Sequence, residues 1–218
     1  MKTNILKAIN NLIDSDLRII KKHVNSTYKI RINNAGEFLE HLIKNSLSNN
    51  LNLTNKKNVV LQNGYFSYIG NQNNPPDLII KNGDALEIKK IENNERSIAL
   101  NSSFPKDKLY RNSSMITNAC KNCEKDWDEK DICYVIGCID KEKNIKSLWF
   151  IYGNCFCASP EIYKRVKYKI RDGIQELGIE LSKTNEIAKV KKVDPLGITD
   201  LRVRGMWGIK HPSKVFEY

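Results

Sequence analysis

Two acids and a lysine stand among apolar residues in Pro75-Pro76-Asp77-Leu78-Ile79-Ile80-Lys81-Asn82-Gly83-Asp84-Ala85-Leu86-Glu87-Ile88-Lys89. Charges on apolar strands are uncommon without a partner. The runs Asp77–Lys81 and Ala85–Ile91 read as strands separated by Asn82-Gly83. A two-residue turn there would pair Lys81 with Asp84 and point Asp77 away from Glu87. A three-residue loop, Lys81-Asn82-Gly83 with Gly83 left-handed as a G1 bulge, changes the parity. Ile80 then pairs with Asp84, Asp77 faces Glu87, and Lys89 lies on their side of the sheet. Opposed carboxylates repel unless a cation lies between them. Oxygen donors with room for water and a phosphate suit Mg²⁺, which acidifies water and neutralises charge on a phosphodiester. Lys89 would orient or help deprotonate the attacking water and stabilise developing charge. The rival reading is an exposed hairpin face with ordinary surface charges. Ile79, on that same face, speaks against it.

The elements around this pair follow from periodicity. Ile5, Leu6, Ile9, Leu12 and Ile13 are at helical spacing and predict a first amphipathic helix. A second starts near Asn34, an N-cap with Glu37 in the capping-box position, and carries the stripe Ala35, Phe38, Leu39, Leu42, Ile43. On this helix Glu37 lies nearly opposite the stripe. Glu40 sits nearer its edge, able to lean toward the sheet or to pair with Lys44. Val59–Leu61 and Tyr65–Ile69 read as strands. Ile132–Ile139 and Ser147–Phe156 read as a hairpin or adjacent strands around the charged turn Asp140–Asn144. Pro160 opens a helix with the ridge Ile162, Val166, Ile170 and Ile174. The order predicts one α/β (α+β) domain over residues 1–218 with a mixed sheet, and residues 193–218 as a nucleic-acid-reading tail.

The chain of 218 residues carries 36 Lys+Arg against 25 Asp+Glu, a net charge of +11. That sign favours polyanions. Residues 1–100 and 161–218 are each net +5, while 101–160 are net +1, so two basic ends flank a balanced centre. No apolar run approaches bilayer-spanning length, and Met1–Ile13 lacks the continuous apolar stretch of a secretory signal. The expected location is cytoplasmic, away from any membrane. Cys120, Cys123, Cys133, Cys138, Cys155 and Cys157 read as reduced thiols. The Cys120-x-x-Cys123 and Cys155-x-Cys157 pairs are an alternative zinc set.

Pro76-Asp77, nine intervening residues, then Glu87-Ile88-Lys89 resembles the signature of the PD-(D/E)xK nuclease superfamily. The surroundings are more specific. Residues 66–77 and 83–92, Ala99–Ser103, Val193–Thr199 and Arg202–Ile209 together resemble the NgoPII family of type II restriction endonucleases. The resemblance implies a central mixed sheet flanked by helices, and a Mg²⁺-dependent homodimer cutting double-stranded DNA at GGCC. A cognate DNA methyltransferase would belong to the same system. It makes Asp77, Glu87, Lys89 and Glu40 the catalytic candidates, and Asp77, Glu87 and Ile88 the metal-binding ones.

For DNA, Arg202 and Arg204 alternate on a predicted strand and could donate bidentately to guanine, or clamp phosphates. Asn101, Ser102 and Ser103 could bind phosphate or cap a turn. Lys90 should face the other side of its strand as a solvated charge, available to DNA. Trp207 suits a core, and Asp84 a turn. Two rival functions share these features: a structure-specific or repair nuclease with the same centre, and a DNA-binding protein without catalysis.

Overall fold

The computed structural model describes residues 2–15, 35–48, 64–71, 73–93, 97–100, 103–140, 144–176, 181 and 187–216. The expected strand Val59–Leu61, the cap Asn34, and Asn101 and Ser102 lie outside them. Two compact units emerge: Met1–Arg96 with Lys108–Tyr152, and Ser97–Asp107 with Gly153–Tyr218.

The first unit holds helices α1 (Ile5–Asp14) and α2 (Ala35–Leu47), strands β1 (Phe66–Asn71), β2 (Asn74–Ile80) and β3 (Ala85–Ile91), and β5 (Lys108–Tyr110). It also holds the short helix α3 (Asn118–Lys121), β6 (Glu129–Ile139) and β7 (Ile145–Tyr152). β4 (Ile98–Ala99) belongs to the second unit. β1, β2 and β3 form an antiparallel meander, β3 runs parallel to β6, and β7 returns antiparallel to β6. β5 adds to the first three residues of β6, making a six-stranded mixed sheet. Ile132–Ile139 are all buried. That continuous apolar run is what a strand needs when it is paired along both edges and covered on both faces. The expected mixed sheet with flanking helices is present, and Cys138 opposite Ser147 confirms the β6–β7 hairpin.

α2 buries Phe38, Leu39, Leu42 and Ile43 as its stripe predicts, and Leu47 as well. They form one core with Leu78, Ile80, Leu86, Ile88 and Val135 of the sheet. Each such side chain contributes about 1.5–3 kcal/mol of transfer free energy. α1 departs from its predicted face. Ile5, Ala8 and Leu12 are buried, while Leu6 and Ile13 are 71% and 75% exposed. The small Ala8 allows close approach, and Asn11 Nδ2 donates to the Ser46 carbonyl of α2 at 2.7 Å. Contact therefore falls on the Ile5–Ala8–Leu12 line, and Leu6 and Ile13 lie about 90° round the helix from it.

The predicted strand Ser147–Phe156 ends early. Gly153–Phe156 is a helical turn, α4, closed by the Cys157 N–H on the Gly153 carbonyl at 2.7 Å. In the second unit α5 (Pro160–Glu176) forms as expected. Its ridge does not become core: Ile162, Val166 and Ile170 stay more than 40% exposed and no residue of α5 is buried. β8 (Ala188–Val190) and β9 (Leu201–Val203) make a hairpin, and β10 (Gly208–Ile209) pairs with β4. Trp207 packs edge-on to both Phe104 and Tyr163 but is only half-buried, so it is not the core residue its type suggested. No helix among the described residues is long and apolar enough to cross a membrane.

Gly70 of β1 sets how closely the acid-bearing strand can approach. A Cβ there would collide with the carbonyl oxygens of Asn74 and Pro76 in the first half of β2. Gly70→Ala should therefore push the Pro75–Asp77 backbone away and lower stability by about 1–3 kcal/mol, read as a lower urea midpoint. A wild-type midpoint would contradict the close approach.

Candidate active site

β2 and β3 pair Leu78 with Leu86 and Ile79 with Ala85. Continuing that register by one residue sets Asp77 opposite Glu87, with Lys89 on the same face. The connecting loop is Lys81-Asn82-Gly83, closed by the Ile80 N–H on the Asp84 carbonyl and the Gly83 N–H on the Ile80 carbonyl, both 2.9 Å. The left-handed residue is Asn82, at φ 55°, and not Gly83 as the sequence suggested. Asparagine tolerates that region. At Gly83 a Cβ would lie 3.3 Å from the Ile80 side chain, a tight fit that Ile80 would have to yield to.

Lys89 Nζ forms an ion pair with Glu87 Oε1 at 2.7 Å. Asp77 Oδ2 accepts the Ile88 N–H at 2.5 Å. Along β3 the main-chain groups of alternate residues point toward β2, so those of Leu86 and Ile88 share that side. Extended by two residues, the register sets Pro76 opposite Ile88, and proline has no N–H to donate. Pro76 therefore offers the Ile88 carbonyl no hydrogen bond from β2. Burial, then the charge of Glu87, pushes the Asp77 carboxyl up to about 7. Burial works against the Lys89 ammonium, but Glu87, Asp77 and Glu40 outweigh it and raise its pKa above the ordinary lysine value.

Glu87 Oε2 is buried and, among the described residues, has no hydrogen-bond donor. Such an atom is costly unless something positive meets it. No three His, Cys, Asp or Glu side chains among the described residues cluster as a metal cage. A cation here would rest on the two carboxylates, the Ile88 carbonyl, and water or phosphate. Oxygen donors of that kind fit a small hard divalent ion.

Glu40 is half-buried on α2 and its charge acts on both Asp77 and Lys89. It pairs with Lys44 at 3.4 Å, the i, i+4 alternative of the two expected behaviours. Glu37 is exposed on the first turn of the helix.

The NgoPII restriction endonuclease family matches residues 3–218. Type II restriction enzyme NgoPII of Neisseria gonorrhoeae is 46% identical over 216 residues, covering 99% of this chain and 77% of that protein. The chain belongs to the NgoPII restriction endonuclease family. It is thus a type II restriction endonuclease, a site-specific deoxyribonuclease. No solved structure matches it.

The remaining candidates of this NgoPII-family enzyme are placed unevenly. Arg202 is exposed in β9 opposite Lys189, while Arg204 is exposed just past the strand end, so the pair is not carried by one continuous strand. The Ser103 hydroxyl accepts from Lys106 Nζ at 2.7 Å and its N–H donates to the Leu100 carbonyl, the geometry of a turn. Lys90 pairs with Glu92 at 3.0 Å. Asp84 accepts from the Tyr152 hydroxyl at 3.0 Å beside the bend. Burial pushes the Cys120 and Cys133 thiols up to about 12, so both stay protonated. Glu124 and Lys130 bond the loop between β2 and β3. They lie in a run of mixed charge that reads as solvated surface and gives no reason to single them out.

Proposed function

We propose that this endonuclease is Mg²⁺-dependent and hydrolyses phosphodiester bonds of double-stranded DNA at the palindrome GGCC, with Asp77, Glu87, Lys89 and Glu40 as its catalytic residues. The observation that carries the chemistry is the buried, donor-less Glu87 Oε2 on the face shared by Asp77 and Lys89. Asp77, Glu87 and the Ile88 carbonyl would hold the ion. When bound, Mg²⁺ supplies neutralisation of phosphate charge and acidification of water. Asp77 keeps its carboxylate aimed by accepting the Ile88 N–H. Glu87 fixes the Lys89 ammonium through the 2.7 Å ion pair. From there Nζ can orient the attacking water and donate to a phosphate oxygen as negative charge develops. Glu40 adds negative charge that holds the cations in place.

The GGCC target comes from the family resemblance. Each half-site offers two guanines, and Arg202 and Arg204 are the proposed readers, with Lys90, Asn101, Ser102 and Ser103 as backbone contacts. A palindrome calls for a two-fold protein, hence a homodimer. Host DNA would need a cognate methyltransferase, and the pair would act in the cytoplasm. Digestion of a sequenced plasmid with and without Mg²⁺, reading the fragment ends, tests the proposal. Discrete bands ending within GGCC are expected only with the metal. A smear, nicks at junctions or metal-independent cutting would overturn it.

A further inference from the structure

The loop that sets the site's register is itself gripped by a buried ion pair. Glu124 Oε1 accepts the Asn82 N–H at 2.7 Å, and Glu124 Oε2 pairs with Lys130 Nζ at 2.7 Å. Lys130 Nζ also donates to the Gly83 carbonyl at 3.1 Å. Both side chains are largely out of water, Glu124 13% and Lys130 8% exposed. The ammonium lies 5.7 Å from the centre of the Trp127 ring, whose indole N–H is fixed on the Lys121 carbonyl at 3.2 Å. Burial opposes charge on Glu124, yet bonds from Lys130, the Asn82 N–H and Ser67 hold its carboxyl below the ordinary range.

Such a pair is a poor source of stability, because desolvation offsets the attraction. It discriminates between conformations well. The sequence Asn82-Gly83 also favours a two-residue turn, and that turn would place Asp77 and Glu87 on opposite faces. In the slipped register the buried Glu124 and Lys130 would lose the main-chain groups they bond now, leaving polar atoms unsatisfied. Each of these bonds ties down the three-residue form.

We propose that Glu124 and Lys130 are positioning residues for DNA cleavage: bonded to Asn82 and Gly83, they hold the β2–β3 register that sets Asp77 opposite Glu87. The proposal rests on the proposed Mg²⁺ site at Asp77 and Glu87. Its probe is the Ile88 amide, protected in this register by the Asp77 carboxylate. In Glu124→Gln the Ile88 amide should exchange with solvent about tenfold faster, and half-saturating Mg²⁺ for cleavage should rise about tenfold. The double variant Glu124→Met/Lys130→Met leaves no buried unpaired charge and so should fold, yet it lacks both bonds to the loop and should show the same two changes. DNA affinity measured in Ca²⁺ should hold in both. Wild-type Ile88 exchange and Mg²⁺ dependence in the double variant would overturn the proposal, as would changes that merely follow a lowered global unfolding midpoint. If the wild-type protein does not cut DNA with Mg²⁺, the proposed metal site fails. Ile88 exchange in the variants still decides the positioning claim in that case.

Discussion

Lys89→Ala should lower turnover about 10³-fold while leaving specific DNA binding in Ca²⁺ within about threefold of wild type. The lysine's only short partner among the ion pairs described is Glu87 Oε1, at 2.7 Å. Its removal therefore takes away the donor proposed to meet the reacting phosphate without touching Arg202 or Arg204. A second effect follows from the same geometry. Without the ammonium, Glu87 and Asp77 face each other with no cation between them. The metal-free variant should lose about 3 kcal/mol of stability, and part of that should return on adding Ca²⁺. Single-turnover cleavage and urea melts with and without Ca²⁺ measure both. Cleavage at the wild-type rate would remove Lys89 from the mechanism.

Asp77→Asn should abolish cleavage and yet stabilise the metal-free protein by about 1–3 kcal/mol at pH 8. The amide keeps an acceptor for the Ile88 N–H and removes a buried charge that opposes Glu87. The sign with pH follows from the raised carboxyl, about 7 in the fold against an ordinary value of 3.8. Below the ordinary value both folded and unfolded forms hold the proton, and ionisation costs nothing. Between the two values the unfolded chain has released its proton while the fold still holds it, so stability falls as pH rises and levels off above about 7. Wild-type stability in EDTA should thus fall between about pH 4 and 7 more steeply than that of the variant. Equal slopes for the two proteins would show that Asp77 is not the group responsible. The variant should also lose the rise in melting temperature that Mg²⁺ gives the wild type.

Much of this centre was legible because strand periodicity and turn parity are strict. Asp77, Glu87 and Lys89 have spacings that only a three-residue loop brings to one face, and the observed Leu78–Leu86 and Ile79–Ala85 pairs follow that register. Ile79 is fully buried, which a solvated hairpin face would not allow. The identity of the left-handed residue was not legible. Asparagine and glycine both accept positive φ, so the local sequence leaves the choice open, and the fold gives it to Asn82. The Ile88 carbonyl had no signal in side-chain chemistry. Its proposed role depends on a proline, which has no N–H, standing opposite it in a neighbouring strand.

The sequence by itself determined the quantities that depend on near neighbours: the helical stripe Phe38–Ile43, the parity linking Asp77 to Glu87, and the two strand runs around Asp140–Asn144. Local spacing dictates which side chains share a face, and burial of that face follows. Only tertiary structure decided which of several apolar faces would find a partner. Ala8 displaced Leu6 and Ile13 on α1, and the α5 ridge stayed exposed. Glu124 and Lys130 left an apparently solvated run to grip a loop 42 and 47 residues away in the chain. Those outcomes rest on contacts between segments distant in the chain, whose energies no local pattern encodes.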